Sequence, residues 1–147
     1  MDEIAQAANK ARSERGGRFE EKLVELFEVL KREKKIKEYE RNPSIFDGEF
    51  NPDFIVLTNK DEFLCLDATT TARTDRLRAK QWDAYGTKLF YWKTRKTRIK
   101  AYTVVQDTDT SGREVDNFRN CKRRCELPHS ALDGTISVDD LVRILTS

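Results

Sequence analysis

Two aspartates, Asp53 and Asp67, flank the apolar runs of NPDFIVLTNKDEFLCLDATT. Asp53–Leu57 and Phe63–Thr69 read as strands joined by the polar turn TNKDE. With the turn centred on Lys60, antiparallel pairing sets Leu57 opposite Phe63, Ile55 opposite Cys65 and Asp53 opposite Asp67. Strand side chains alternate, so both aspartates share one face with Ile55 and Cys65. Directly opposed residues have Cβ atoms about 5 Å apart. Two carboxylates that close repel one another unless a positive charge lies between them. Mg²⁺ fits that need, because it takes oxygen ligands and commonly combines one or two carboxylates with waters and a substrate phosphate. A turn centred one residue away would part the pair, leaving two aspartates at the ends of an ordinary half-buried hairpin.

A third carboxylate comes from the preceding segment. Residues 13–35 read as an amphipathic helix with Phe19, Leu23, Leu26, Phe27 and Leu30 on its buried stripe. Glu20 lies at the edge of that stripe, where it can reach a site on an adjoining sheet; the plainer role is a first-turn acid favoured by the helix dipole.

The elements that must position these groups follow in order. After the first helix, IKEYER (36–41) reads as a short strand, and NPSIFDGEFNP is a turn-rich link with Pro43, Gly48 and Pro52 as breakers. The carboxylate hairpin comes next. Residues 74–86 read as a second helix, with Thr74 as N-cap and Gly86 as its stop. Strands are expected at 88–93 and 99–105, then a helix at 114–125 and a final helix capped by Ser137. The order predicts one α+β domain over residues 1–147, a small mixed central sheet with helices on its faces in an α/β/α arrangement.

Charge is unevenly spread. Residues 1–72 hold 12 Lys/Arg against 16 Asp/Glu, residues 73–100 hold 10 against 2, and residues 101–147 hold 6 against 8. The central block thus carries the positive field, as a phosphate backbone would require. Arg73, Arg76 and Lys80 can line one helix face, and Lys93, Arg95, Lys96 and Arg98 cluster beyond. Arginines contact phosphates and read guanine edges; lysines act more as point charges. The alternative is a solvated edge strand whose lysines block sheet pairing. Trp82 and Tyr85 are expected in the core. Arg119, Lys122, Arg123 and Arg124 form a second basic cluster.

A Gly-x-x-Phe-Glu-like helix start (Gly16 to Glu20), Pro52-Asp53 entering a strand, Asp67-Ala68-Thr69 leaving the next, and a basic helix after it resemble the PD-(D/E)xK nuclease superfamily. The run from Asp67 to Arg76 is similar to restriction enzymes in passing from the acidic motif into a Thr- and Arg-rich helix start. The resemblance spans residues 16–105. It implies a restriction-endonuclease-like αβββαβ core with additional C-terminal helices, and metal-assisted phosphodiester hydrolysis. It also implies Mg²⁺ held by Asp53, Asp67 and the Ala68 carbonyl, with Glu20 as auxiliary carboxylate.

The departure is Thr69, where the family pattern has a lysine. A threonine hydroxyl orients water but supplies no charge. Either another lysine takes the role, Lys80 first and Lys88 next, or the chain is a weakened relative that binds DNA without cutting.

The expected partner is double-stranded DNA, met by a homodimer because cutting both strands needs two active sites. No organic cofactor is expected. The spacing of Cys121, Cys125 and His129 invites zinc, but only Cys65 remains as a fourth ligand. No apolar run is long enough for a membrane span, and no membrane partner is expected. The amino terminus lacks a signal-peptide core, so reduced thiols and a cytoplasmic setting are expected.

Overall fold

The computed structural model describes residues 2–13, 18–70, 74–106 and 131–147, with the backbone alone described at 12, 13 and 74–78. The elements are α1 (Glu3–Ser13), α2 (Phe19–Arg32), β1 (Ile36–Arg41), β2 (Phe54–Thr58), β3 (Phe63–Thr69), α3 (Thr74–Arg95), β4 (Lys100–Val105), β5 (Gly134–Ser137) and α4 (Val138–Thr146). The five strands form one sheet in the order β1-β2-β3-β4-β5. β2 runs antiparallel to both β1 and β3, while β4 and β5 continue parallel to β3. The domain is therefore mixed α+β around a mixed sheet.

Each face of the sheet builds its own core. Phe54, Val56, Leu64, Leu66, Val104 and Ile136 pack with α1, α2 and α4, through residues such as Ala11, Leu23, Phe27, Val138 and Leu141. Ile55, Cys65, Ala101 and Val105 point the other way, onto Ala84 and Tyr91 of α3. The alternation of apolar side chains to both faces explains why β3 is buried over nearly its whole length.

The hairpin register is the one that a turn centred on Lys60 gives, not the shifted alternative: Ile55 pairs with Cys65 and Leu57 with Phe63. β1 also falls where expected. Ser137 caps α4 with a full capping box, accepting from the Asp140 amide while the Asp140 carboxylate takes the Ser137 amide.

Other expectations are corrected. α1 was not anticipated, and the helix expected at 13–35 is described as α2, from Phe19 to Arg32. The strand expected at 88–93 does not exist, because α3 runs unbroken through Gly86 to Arg95. Aromatic residues favour strands in isolation, but here Phe90 packs edge-on against Phe46, and Tyr91 against Phe63. Tertiary contact decides where local propensity is ambiguous. Gly86 is no stop; it admits the Phe50 ring, which a side chain at that position would strike. The helix closes instead at Lys96, in the left-handed region at φ 53, with the Lys96 and Thr97 amides reaching back to the Trp92 and Tyr91 carbonyls. β5 was not anticipated; with only Ile136 buried, its four residues carry almost no pattern. Trp82 and Tyr85, expected in the core, are 57% and 53% exposed.

The helix expected at 114–125, Gly16, Gly17, the cluster Arg119 to Arg124, and Cys121, Cys125 and His129 all lie outside the described residues. Among the described residues, no helix is long and apolar enough to cross a membrane.

Candidate functional site

Extending the hairpin register brings Asp53 beside Asp67, and the two are tied through the backbone. The Asp53 amide donates to Asp67 Oδ1 at 3.1 Å, and the Ala68 amide donates to Asp53 Oδ2 at 2.7 Å. These reciprocal bonds fix both carboxylates at the point where β3 passes beneath α3. Asp67 is 1% exposed, and its Oδ2 is buried with no hydrogen-bond partner. An unsatisfied buried carboxylate oxygen is costly and marks a place where a cation or donor is wanted.

Lys80 answers part of that demand. Its Nζ lies 3.5 Å from Asp53 Oδ2 and 3.6 Å from Asp67 Oδ1. It reaches them because it sits one turn before Ala84 on the inward face of α3. Burial pushes the Asp67 carboxyl up to about 7; the Lys80 charge works against this rise and the Asp53 charge adds to it. Burial disfavours the Lys80 ammonium, but Asp67, Asp53 and Asp83 outweigh it and hold its pKa above the usual value. The Lys80 ammonium thus lies within ion-pair distance of both carboxylates. Lys88, the second choice for the missing lysine, pairs instead with Asp133 at 2.8 Å.

A cleft of about 690 Å³ opens beside these groups, lined by Arg18, Glu20, Arg41, Ala68, Thr69, Thr70 and Lys80 among others. Thr69 is buried at its edge. Glu20 faces the cleft from the first turn of α2, 3.9 Å from Arg41 Nε. Partial burial, then the Asp53 charge, raise its pKa. It is therefore within electrostatic reach of the aspartates without joining them: among the described residues, no three His, Cys, Asp or Glu side chains gather as a metal-binding group. A cation here would rest on Asp53 and Asp67, completed by backbone, water or ligand oxygens. The orphaned Asp67 Oδ2 and the all-oxygen donor set fit Mg²⁺ chemistry.

Of the residues expected to contact DNA, Arg73 and the side chain of Arg76 lie outside the described residues. Lys93, Arg95, Lys96 and Arg98 are gathered at the far end of α3. Arg95 lies over the Phe63 ring at 5.0 Å, at the start of β3, whereas Asp67 is near its end. At 1.5 Å per residue, Arg95 is about 22 Å along the helix axis from Lys80. A duplex covers that length in about six or seven base pairs.

Arg18 and Arg41 were missed by sequence reasoning, although both line the cleft. Arg41 could have been found: it ends β1 and pairs with Phe54, and the neighbouring Asn42 amide donates to the Asp53 carbonyl at 2.8 Å. Nothing local marked Arg18.

Compared with protein-family models, curated proteins and solved structures, the chain matches none.

Proposed function

We propose that the protein is a Mg²⁺-dependent endonuclease of restriction-endonuclease-like fold that hydrolyses phosphodiester bonds in double-stranded DNA. The observation that carries the reading is one lysine ammonium held between two neighbouring strand carboxylates at the rim of a cleft that also presents arginines. The element order α2-β1-β2-β3-α3-β4 supports it, being the αβββαβ order that the motif resemblance implies.

In this reading Asp53 and Asp67 hold the cation, with the Ala68 carbonyl as a third oxygen. Mg²⁺ would supply positive charge against the phosphate and make a nearby water more acidic. Lys80 takes the place of the motif lysine, its charge facing the scissile phosphoryl group from α3. Thr69 orients water without supplying charge. Glu20, its pKa raised, is placed to accept a proton at the cleft wall. Arg18 and Arg41 would draw the phosphate backbone into the cleft. A homodimer would present one such cleft to each strand.

The test is cleavage of supercoiled plasmid with Mg²⁺ by wild type and Asp67→Ala. Cutting by wild type alone supports the proposal. The second reading is a nuclease-like fold that holds DNA without cutting, favoured by the threonine at position 69, where the family pattern has a charged lysine. Retention of duplex by both proteins, with cutting by neither, would establish that reading instead.

A further inference from the structure

The outer face of α3 carries a feature that the cleft does not use. Trp82, Tyr85, Leu89 and Trp92 recur at i, i+3, i+7 and i+10, which places them in one stripe along the helix. The two tryptophans and the tyrosine are the exposed large hydrophobics among the described residues, Trp92 at 44%. Lys80, Ala84 and Tyr91 occupy the opposite, inward side. Large aromatic rings left in water on one helix face mark a surface built to be covered.

The surroundings of the stripe indicate by what. The Arg98 guanidinium lies 5.5 Å from the Trp92 ring centre, and Lys96 Nζ lies 5.8 Å from it. Beside them is a hollow of about 380 Å³ walled by Tyr85, Lys88, Leu89, Trp92, Arg98 and Ile99, with no carboxylate in its described lining. Flat π surfaces next to cations suit a ligand that is itself flat, stackable and attached to phosphate. Such pairing of aromatic platforms with a basic track holds single-stranded nucleic acid with little regard to sequence. A duplex does not meet the requirement, since its base faces are stacked on one another. A second copy of this chain on this face would bring two sets of Lys96 and Arg98 together, which like-charge repulsion opposes.

We infer that the outer face of α3 binds unpaired nucleotides, stacking bases on Trp92 and the Tyr85 side of the hollow while Lys96 and Arg98 take the phosphates. This surface is distinct from the proposed cleavage cleft. Trp92 is about 18 Å along the helix from Lys80 and on its far side. The inference stands on different residues and does not depend on catalysis.

Trp82 and Trp92 are the chain's two tryptophans, so intrinsic fluorescence reads the surface directly. The experiment titrates the full chain with a short oligothymidylate, and separately with a duplex of equal length, in chelator at two salt concentrations. Saturable quenching by the single strand is expected, weaker at high salt. Its affinity should fall about ten-fold in Trp92→Leu and in Arg98→Glu, each an exposed position. Absence of quenching, or an affinity unaltered by both surface changes, would overturn the inference. So would a blue shift that depends on protein concentration and ignores the oligonucleotide, which would assign the face to a second copy. Quenching without plasmid cleavage would remove the nuclease reading and leave this one standing; cleavage without quenching would do the reverse.

Discussion

Lys80 Nζ lies 3.6 Å from Asp67 Oδ1, joining the inward face of a helix to a buried carboxylate of the central strand. The motif resemblance places a lysine at position 69, where this chain has threonine. A positive charge reaches the same carboxylate from another element. If that charge serves catalysis, Lys80→Met should lower plasmid cleavage by about 10²–10³-fold, the usual cost of removing one charge-stabilising donor. Duplex affinity should change far less. Thr69 is two residues beyond Asp67 on the same strand face, so Thr69→Lys in the Lys80→Met background should restore part of the rate. Wild-type cleavage by Lys80→Met would dismiss the assignment.

Asp67 makes stability depend on pH in an unusual direction. Its folded pKa is raised to about 7, chiefly by burial, whereas the unfolded carboxyl titrates near 3.9. Between those values the folded state keeps a proton that the unfolded state releases, so stability falls as pH rises. In chelator, the melting temperature should drop from about pH 4 to pH 7 and then level off, by an amount worth a few kcal/mol at most. Asp67→Asn should flatten this dependence. Saturating Mg²⁺ should shrink it, because a bound cation favours the charged carboxylate.

Gly86 lies within α3 under the Phe50 ring. Alanine in an exposed helix interior would gain about 1 kcal/mol over glycine. Here the added methyl collides with Phe50, and the expected result is a net loss of about 1–3 kcal/mol. Trimming the ring in a Gly86→Ala/Phe50→Leu double variant should recover part of it in thermal melts. A Gly86→Ala protein more stable than wild type would show that Phe50 does not seat against the helix.

Ser137→Ala removes the capping box of α4 and should cost about 1 kcal/mol in denaturant titrations. Plasmid cleavage measured at low temperature should be unchanged. A tenfold loss of cleavage would instead tie α4 to the cleft.

Where structure follows from near neighbours, the residues themselves were enough. The register of β2 on β3 is that of a short polar turn centred on Lys60, which sets Ile55 beside Cys65. The start of α4 is similarly local, since the Ser137 and Asp140 side chains satisfy amides within one turn. The extent of α3 is not local. KLFYWK suits a strand as well as a helix, and it becomes helix because Phe46, Phe50 and Phe63 arrive from distant loops and strands to receive it. Sending this segment along a helix instead of a strand carries Lys93 to Arg98 away from the carboxylates and leaves Trp82, Tyr85 and Trp92 facing water.

The sequence by itself determined the two strands and the polar turn between them, which set the aspartates side by side once the turn centres on Lys60, because strand geometry is periodic and short-ranged. Only the tertiary structure decided that Lys80 reaches both carboxylates, that Glu20 faces the same cleft from α2, and that Asp67 is buried enough to resist ionisation. Charge interactions depend on separation and on access to water, and both are set when helices pack across the sheet from far along the chain.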